Sequence, residues 1–182
     1  TADNGKCGTQ MNAILRSSKR MLLFVHGFNN RFSEAAERAM LLKNTLGYEA
    51  EVVLWSWPSK RDGLAGNYRY DKESASGVAR QRLVRFLKDM RSGSEMVPLD
   101  VLAHSMGSWH IVGVLQGLAD DSGRPLISNV AHAAPDVPTD EFELALDDMR
   151  RVAKRVTLYA CDSDMALEIS QSMNAFPRAG TG

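Results

Sequence analysis

A serine flanked by small residues is the part of this sequence whose chemistry is easiest to define. Ala103-His104-Ser105-Met106-Gly107 has the small-x-Ser-x-small spacing of a nucleophile elbow, a sharp strand-to-helix turn that exposes the serine hydroxyl. Small residues are needed two positions before and after the serine, because the strand and helix backbones approach closely there. Ser105 is therefore the candidate nucleophile. The alternative is an ordinary strand-to-helix turn that contains a serine.

A second unusual turn, His26-Gly27-Phe28, could supply the rest of an acyl-transfer site. A serine hydroxyl needs a base to take its proton, and the tetrahedral intermediate needs hydrogen-bond donors for its oxyanion. The main-chain N–H of Met106, at the start of the helix after the serine, is the first expected donor. We expect the N–H of Phe28 to be the second, since Gly27 allows that backbone to come close. A plain turn at the end of a strand is the alternative for His26-Gly27.

Three aspartates near the ends of later predicted strands are candidates for the carboxylate that orients the base. Asp164 and Asp162 follow the fifth predicted strand, and Asp136 follows the fourth. In catalytic triads on this type of sheet the chain order is Ser, then Asp or Glu, then His. We prefer Asp164, although helix capping is the alternative for each aspartate.

A catalytic histidine, the usual base, is expected after the aspartate in the chain, and this sequence has none there. The four histidines are His26, His104, His110 and His132, and none of them follows Asp164. We expect packing or structural roles for all four. The sequence therefore predicts a poor catalyst.

Apolar runs that alternate with helical patterns define the elements around these turns. Strands are predicted at residues 21–25, 51–55, 99–102, 127–133 and 155–159. A Gly-rich aromatic loop is predicted at residues 63–70, before one long helix at about 71–91. This alternation predicts an α/β fold: a three-layer, doubly wound parallel sheet with strand order 2-1-3-4-5. The winding reverses between the first and third strands, which brings the turn after residue 25 beside Ser105.

Composition restricts the domain organisation and the classes of partner. The 182 residues are 44% hydrophobic and 24% charged, which fits an irregular arm at 1–20 and one domain at 21–182. Equal numbers of basic and acidic residues give no electrostatic case for nucleic acid or an anionic membrane surface. The apolar runs are too short to span a bilayer. We expect no metal and no cofactor, since Asp162-Ser163-Asp164 fits a helix cap better than a calcium loop, and we expect Cys7 and Cys161 to be free thiols.

With these features placed, the chain resembles the α/β-hydrolase superfamily, and within it the bacterial α/β-hydrolase family of unknown function DUF900. The matching segments are FVHGFNN at 24–30, WSWPS at 55–59, NYRYDKESA at 67–75, LAHSMGS at 102–108, AAPDV at 133–137 and VTLYACDSDMAL at 156–167. The resemblance implies Ser105 as nucleophile, Asp164 as acid and a histidine farther downstream. Arg178-Ala179-Gly180 resembles a point inside the family domain, so we expect this chain to stop before that histidine.

The resemblance also implies hydrolysis of an ester or another acyl substrate. His26, Trp57, Tyr68 and Tyr70 are candidates to line an apolar acyl pocket, although the aromatic residues equally suit core and loop packing. The competing hypothesis is a non-catalytic protein of the same fold that binds a small acyl ligand or a protein partner. The oligomeric state stays open, and for the compartment we prefer the bacterial cytoplasm to export.

Overall fold

A parallel sheet forms the centre of the molecule. The computed structural model describes residues 14, 17–45, 49–59, 65–91, 97–119, 125–160 and 176–181. Within these ranges five parallel strands run in the order β2-β1-β3-β4-β5. They are β1 (Met21–Val25), β2 (Glu51–Trp55), β3 (Leu99–His104), β4 (Ile127–Ala133) and β5 (Ala153–Tyr159). The predicted fold class and strand order are confirmed.

Helices fill the connections between the strands. In the described ranges they are α1 (Phe32–Thr45), α2 (Ala65–Ser76), α3 (Val78–Arg91), α4 (Met106–Ala119), α5 (Thr139–Leu144) and α6 (Leu146–Val152). α4 packs against α2, α3 and α6, whereas α1 packs against β2. Each strand therefore ends at the same edge of the sheet, where the next connection begins.

The two innermost elements, β1 and α4, are buried along nearly their whole length. All five residues of β1 are buried between β2 and β3, and parallel strands covered on both faces are read as continuous apolar runs. α4 is buried along nearly its whole length because the sheet and three helices surround it. These two elements carry the turns at Gly27 and Ser105, so both turns rest on a rigid core.

The predicted loop is wrong over residues 65–70, and the single helix predicted at 71–91 is wrong; residues 63 and 64 lie outside the described residues. α2 begins at Ala65, and Gly77 lies between α2 and α3. The Gly77 N–H still donates to the Glu73 carbonyl, as in a helix. The start of α2 has weak helix formers, and the contacts of Tyr68 and Asp71 described below hold it in place. Tyr68 therefore lies on a helix and not in the predicted loop.

Other local differences are smaller. β5 begins two residues earlier than predicted, at Ala153. α1 begins at Phe32, and the Glu34 carboxylate accepts the N–H of Arg31 just before it. Both cysteines and the arm up to residue 13 lie outside the described residues.

Candidate functional site

Ser105 is the single residue between β3 and α4. Its φ is 51°, a left-handed conformation that is unfavourable for a residue other than glycine. Its N–H donates to the Ala133 carbonyl at 3.0 Å, and its carbonyl accepts the N–H of Ser108 at 2.9 Å and of Asp136 at 3.2 Å. The turn after β4 therefore holds the main chain of Ser105 in this strained conformation.

The turn after β1 lies directly against the Ser105 turn. A Cβ atom placed on Gly27 would lie 3.0 Å from Ser105 Cβ and 3.1 Å from the His104 carbonyl oxygen. On the other side of the contact, a Cβ on Gly107 would lie 2.5 Å from the His26 carbonyl oxygen. The backbone contact at Gly107 is closer than real Cβ atoms come, so that position is restricted to glycine, whereas a Cβ on Gly27 would require its neighbours to move by a few tenths of an ångström.

Asn30 fixes the conformation of the turn after β1. Its Nδ2 donates to the Phe28 carbonyl at 2.7 Å and to the Gly27 carbonyl at 3.2 Å. Asn29 adopts φ 57° and donates its N–H to Asp71 Oδ2 at 3.3 Å. The carbonyl groups of the turn are thereby engaged, while the N–H of Phe28 has no acceptor among the described residues.

The main-chain N–H of Met106, like that of Phe28, has no acceptor among the described residues. It opens α4, where the first N–H groups have no partner within the helix. No described residue accepts its hydrogen. The two turns that meet at Gly27 and Ser105 thus each carry an unused main-chain donor, on Phe28 and on Met106.

The Ser105 hydroxyl makes no hydrogen bond to any described residue. His26, which precedes the glycine of the facing turn, is fully engaged elsewhere. Its Nδ1 donates to the Gly27 carbonyl at 2.9 Å and its Nε2 accepts the Ser56 hydroxyl at 3.3 Å. Burial lowers the pKa of His26, in keeping with the neutral ring that these bonds require.

The remaining histidines are placed as follows. His110 Nε2 accepts the Trp55 indole N–H at 3.1 Å, and burial lowers its pKa to about 4. His132 packs edge-to-face on Phe142 with both ring nitrogens unbonded among the described residues, and burial lowers its pKa to about 4. His104 directly precedes the serine, and its Nδ1 would lie 3.1 Å from a Cβ on Gly27. No histidine is hydrogen-bonded to the serine.

Among the candidate acids, only Asp136 lies in the described part of the chain; Asp164 and Asp162 fall outside it. Asp136 is buried, and the Tyr68 hydroxyl donates to its Oδ2 at 2.9 Å. Arg178 Nε lies 3.2 Å from its Oδ1, an ion pair whose angle is outside hydrogen-bond geometry. Both carboxylate oxygens therefore have partners other than a histidine.

The predicted pocket-lining residues separate into two groups. A cavity of about 450 Å³ lies at the end of β2, and Trp57 and Tyr70 are among its lining residues. His26 and Tyr68 do not line it and are buried. His26 stacks on Trp57 at 5.1 Å between ring centroids, and its carbonyl accepts the indole N–H at 3.0 Å. This stack supports the turn that carries Phe28.

A family model described as alpha/beta hydrolase of unknown function (DUF900) matches residues 4–181, nearly the whole chain. The chain is a member of the DUF900 family. The resemblance expected from the sequence is thereby confirmed, and the parallel sheet of this DUF900 chain agrees with the hydrolase fold. No match was found among the curated proteins.

The described part of this DUF900 chain has no helix long and apolar enough to cross a membrane. In the same residues, no group of three or more His, Cys, Asp or Glu is placed to hold a metal ion.

Sequence reasoning missed three residues that shape the site of this DUF900 chain. They are Asn30, which holds the Phe28 turn, Asp71, which accepts from Asn29, and Arg178, which pairs with Asp136. Asn30 and Asp71 lie in segments that carried the family resemblance, and that position was the available signal. Asp71 and Arg178 were not indicated by local pattern because their partners, Asn29 and Asp136, are distant in the sequence.

Proposed function

We propose that this chain is a serine hydrolase that acts on an ester or another acyl substrate, with Ser105 as the nucleophile. The supporting observation is the contact between the two turns at Gly27 and Ser105. It brings an unbonded serine hydroxyl into the same place as two unused main-chain donors, on Phe28 and Met106. A nucleophile beside preorganised donors is the arrangement that acyl transfer needs.

In the proposed reaction, Ser105 Oγ attacks the substrate carbonyl carbon and its proton passes to a base. The carbonyl oxygen takes the negative charge and accepts hydrogen bonds from the N–H groups of Phe28 and Met106. When the tetrahedral intermediate collapses, the ester C–O bond breaks, the alcohol leaves with the proton, and the acyl group stays on Oγ. Water then releases the acid and regenerates the serine. Asp164 is our proposed acid for orienting the base.

We propose that the four histidines do not supply the base, because no contact given by the described residues joins one of them to the Ser105 hydroxyl. We therefore expect slow turnover by this polypeptide, with a residual rate from the oxyanion donors. Free imidazole in solution should act as a base and raise the rate.

The test is hydrolysis of p-nitrophenyl acetate at increasing imidazole concentration. Ser105→Ala removes only the nucleophilic oxygen and also reports the background reaction of imidazole with the ester. Ser76→Ala is the matched control, because it removes a serine hydroxyl from the exposed end of α2. We expect an imidazole-dependent rate above background for the unmodified chain and for Ser76→Ala. Equal rates for the unmodified chain and Ser105→Ala would reject the proposal and favour a non-catalytic binding protein.

A further inference from the structure

Tyr68 contacts the turn after β1 and the turn after β4. Its hydroxyl donates to Asp136 Oδ2 at 2.9 Å, and its ring packs edge-to-face on Phe28 with 5.7 Å between centroids. Phe28 belongs to the turn after β1, and Asp136 to the turn after β4. One buried side chain thus spans the two structures that flank the candidate nucleophile.

Asp136 connects Tyr68 to the main chain of Ser105. Its N–H donates to the Ser105 carbonyl at 3.2 Å, while its carboxylate faces Tyr68 and the fully buried side chain of Arg178. The position of Asp136 is fixed further by its neighbours. Ala179 donates to the Val137 carbonyl at 2.9 Å, next to a short antiparallel bridge between residues 138 and 178. Asp136 therefore joins the hydrogen bond of the Tyr68 hydroxyl to the main chain of Ser105.

Helix α2 is attached to the Phe28 turn at a second point. Asp71 lies three residues after Tyr68, so the two side chains occupy the same face of the helix. Asp71 is fully buried and accepts the Asn29 N–H at 3.3 Å together with the Ser59 hydroxyl. This face of α2 braces the turn that carries the Phe28 N–H and, through Tyr68, the turn that holds Ser105.

We propose that Tyr68 is a positioning residue that sets the distance between the Phe28 N–H and Ser105 Oγ, an inference that rests on the proposed hydrolase function. The ring fills the space beside Phe28, whereas the hydroxyl makes the hydrogen bond to Asp136. Oxyanion donors act over a narrow range of distance, and a displacement of about 1 Å can cost about 100-fold in rate. The smaller shift expected on loss of one hydrogen bond should cost about tenfold.

The test compares the unmodified chain with Tyr68→Phe, which keeps the ring on Phe28 and removes the link to Asp136. A fluorophosphonate is used as the probe, in imidazole buffer and well below the melting temperature. In its reaction a bond forms between Ser105 Oγ and phosphorus, the P–F bond breaks, fluoride leaves, and imidazole takes the serine proton. Intact mass gives the labelling rate at each probe concentration. Ser76→Ala on the same helix is the control, because it removes the acceptor of the Trp109 indole N–H and touches neither turn.

We expect the maximal labelling rate of Tyr68→Phe to fall about tenfold while the half-saturating probe concentration stays the same. Hydrogen exchange should become faster in residues 26–30 and 105–108 and stay unchanged in the strands. Ser76→Ala should match the unmodified chain in both measurements. An unchanged labelling rate in Tyr68→Phe would overturn the proposal, as would faster exchange spread over the whole sheet.

The two proposals fail in different ways. If the unmodified chain is never labelled, the hydrolase function fails, but hydrogen exchange still tests the link between the turns. Faster exchange confined to the two turns of Tyr68→Phe would then support the positioning role of the hydroxyl. Unchanged exchange would reject that role as well.

Discussion

Gly27 and Ser105 lie so close that a Cβ on the glycine would be 3.0 Å from the Cβ of the serine. The closeness follows from the sheet, because β1 and β3 are neighbours whose carboxyl ends meet at one edge. It places a strained serine beside a turn whose carbonyl groups are already bonded to Asn30. The site therefore depends on backbone packing as much as on the serine itself.

Gly107→Ala should destabilise the fold, because its Cβ would meet the His26 and Val25 carbonyl oxygens at 2.5 and 2.7 Å. Overpacking against backbone that cannot move should lower the free energy of unfolding by about 2 kcal/mol. Gly117→Ala in the same helix is the control: its nearest contact would be an ordinary 3.4 Å, so helix propensity should raise stability by about 0.5–1 kcal/mol. Urea denaturation measures both. Equal effects of the two changes would contradict this account of α4.

Ser105→Gly should stabilise the protein while it removes the candidate nucleophile. The φ of 51° costs a serine about 1 kcal/mol that glycine avoids. Ser105→Ala keeps the strained backbone and loses a hydroxyl that is unbonded in the described residues, so its stability should stay close to that of the unmodified chain. Thermal unfolding of the three proteins distinguishes strain from side-chain chemistry. A glycine variant no more stable than the alanine variant would show that the turn is not strained.

Acid should weaken the fold through His132. Burial lowers its pKa to about 4, whereas in the unfolded chain the value is near 6.5. Between these values the unfolded chain binds a proton that the folded chain does not, so the free energy of unfolding falls as the pH decreases. From pH 7 to pH 5 the loss from this one residue is about 2 kcal/mol. His110, with a pKa also lowered to about 4, should add a similar loss.

His132→Leu tests this assignment. Leucine fills the site against Phe142 and removes two ring nitrogens that have no partner among the described residues. Stability at pH 7 should rise by about 1 kcal/mol, and the loss between pH 7 and pH 5 should shrink by about 2 kcal/mol. Urea unfolding at the two pH values gives both numbers. An identical pH dependence in the two proteins would rule out His132 as a source.

Arg178→Met should leave Asp136 as a buried charge with one partner fewer. The side chains of the pair are 0% and 4% exposed, so solvent cannot take over the role of the guanidinium. We expect a loss of about 3 kcal/mol in the free energy of unfolding. Adding Asp136→Asn removes the charge but keeps an acceptor for Tyr68, so the double variant should recover part of that loss. Additive losses in the double variant would show that the two residues are not energetically coupled.

Much of the fold followed from the sequence because local pattern and burial agree. β1 is a continuous apolar run, β2 and β4 are rich in apolar residues, and the observed limits of all three strands match the prediction. α2 was missed because its helical state depends on distant partners such as Asp136 and Ser59, which propensity does not include. The break at Gly77 was missed because glycine is also tolerated inside helices.

The site was predictable only in its local parts. Ser105 and Gly27 stand out because each belongs to a turn with unusual residues, and the strand order alone brings those turns together. The link from Arg178 through Asp136 to Tyr68 joins residues far apart in the chain, so no local pattern indicates it. The choice of Asp164 as acid stays a prediction, since that residue lies outside the described part of the chain.

The most direct test of the central proposal is mass spectrometry of the chain after exposure to a fluorophosphonate in imidazole buffer, with Ser105→Ala treated in parallel. We predict one covalent adduct, located by peptide mapping on Ser105 and missing from Ser105→Ala. No adduct, or an adduct on another residue that persists in Ser105→Ala, would contradict the assignment of Ser105 as a nucleophile.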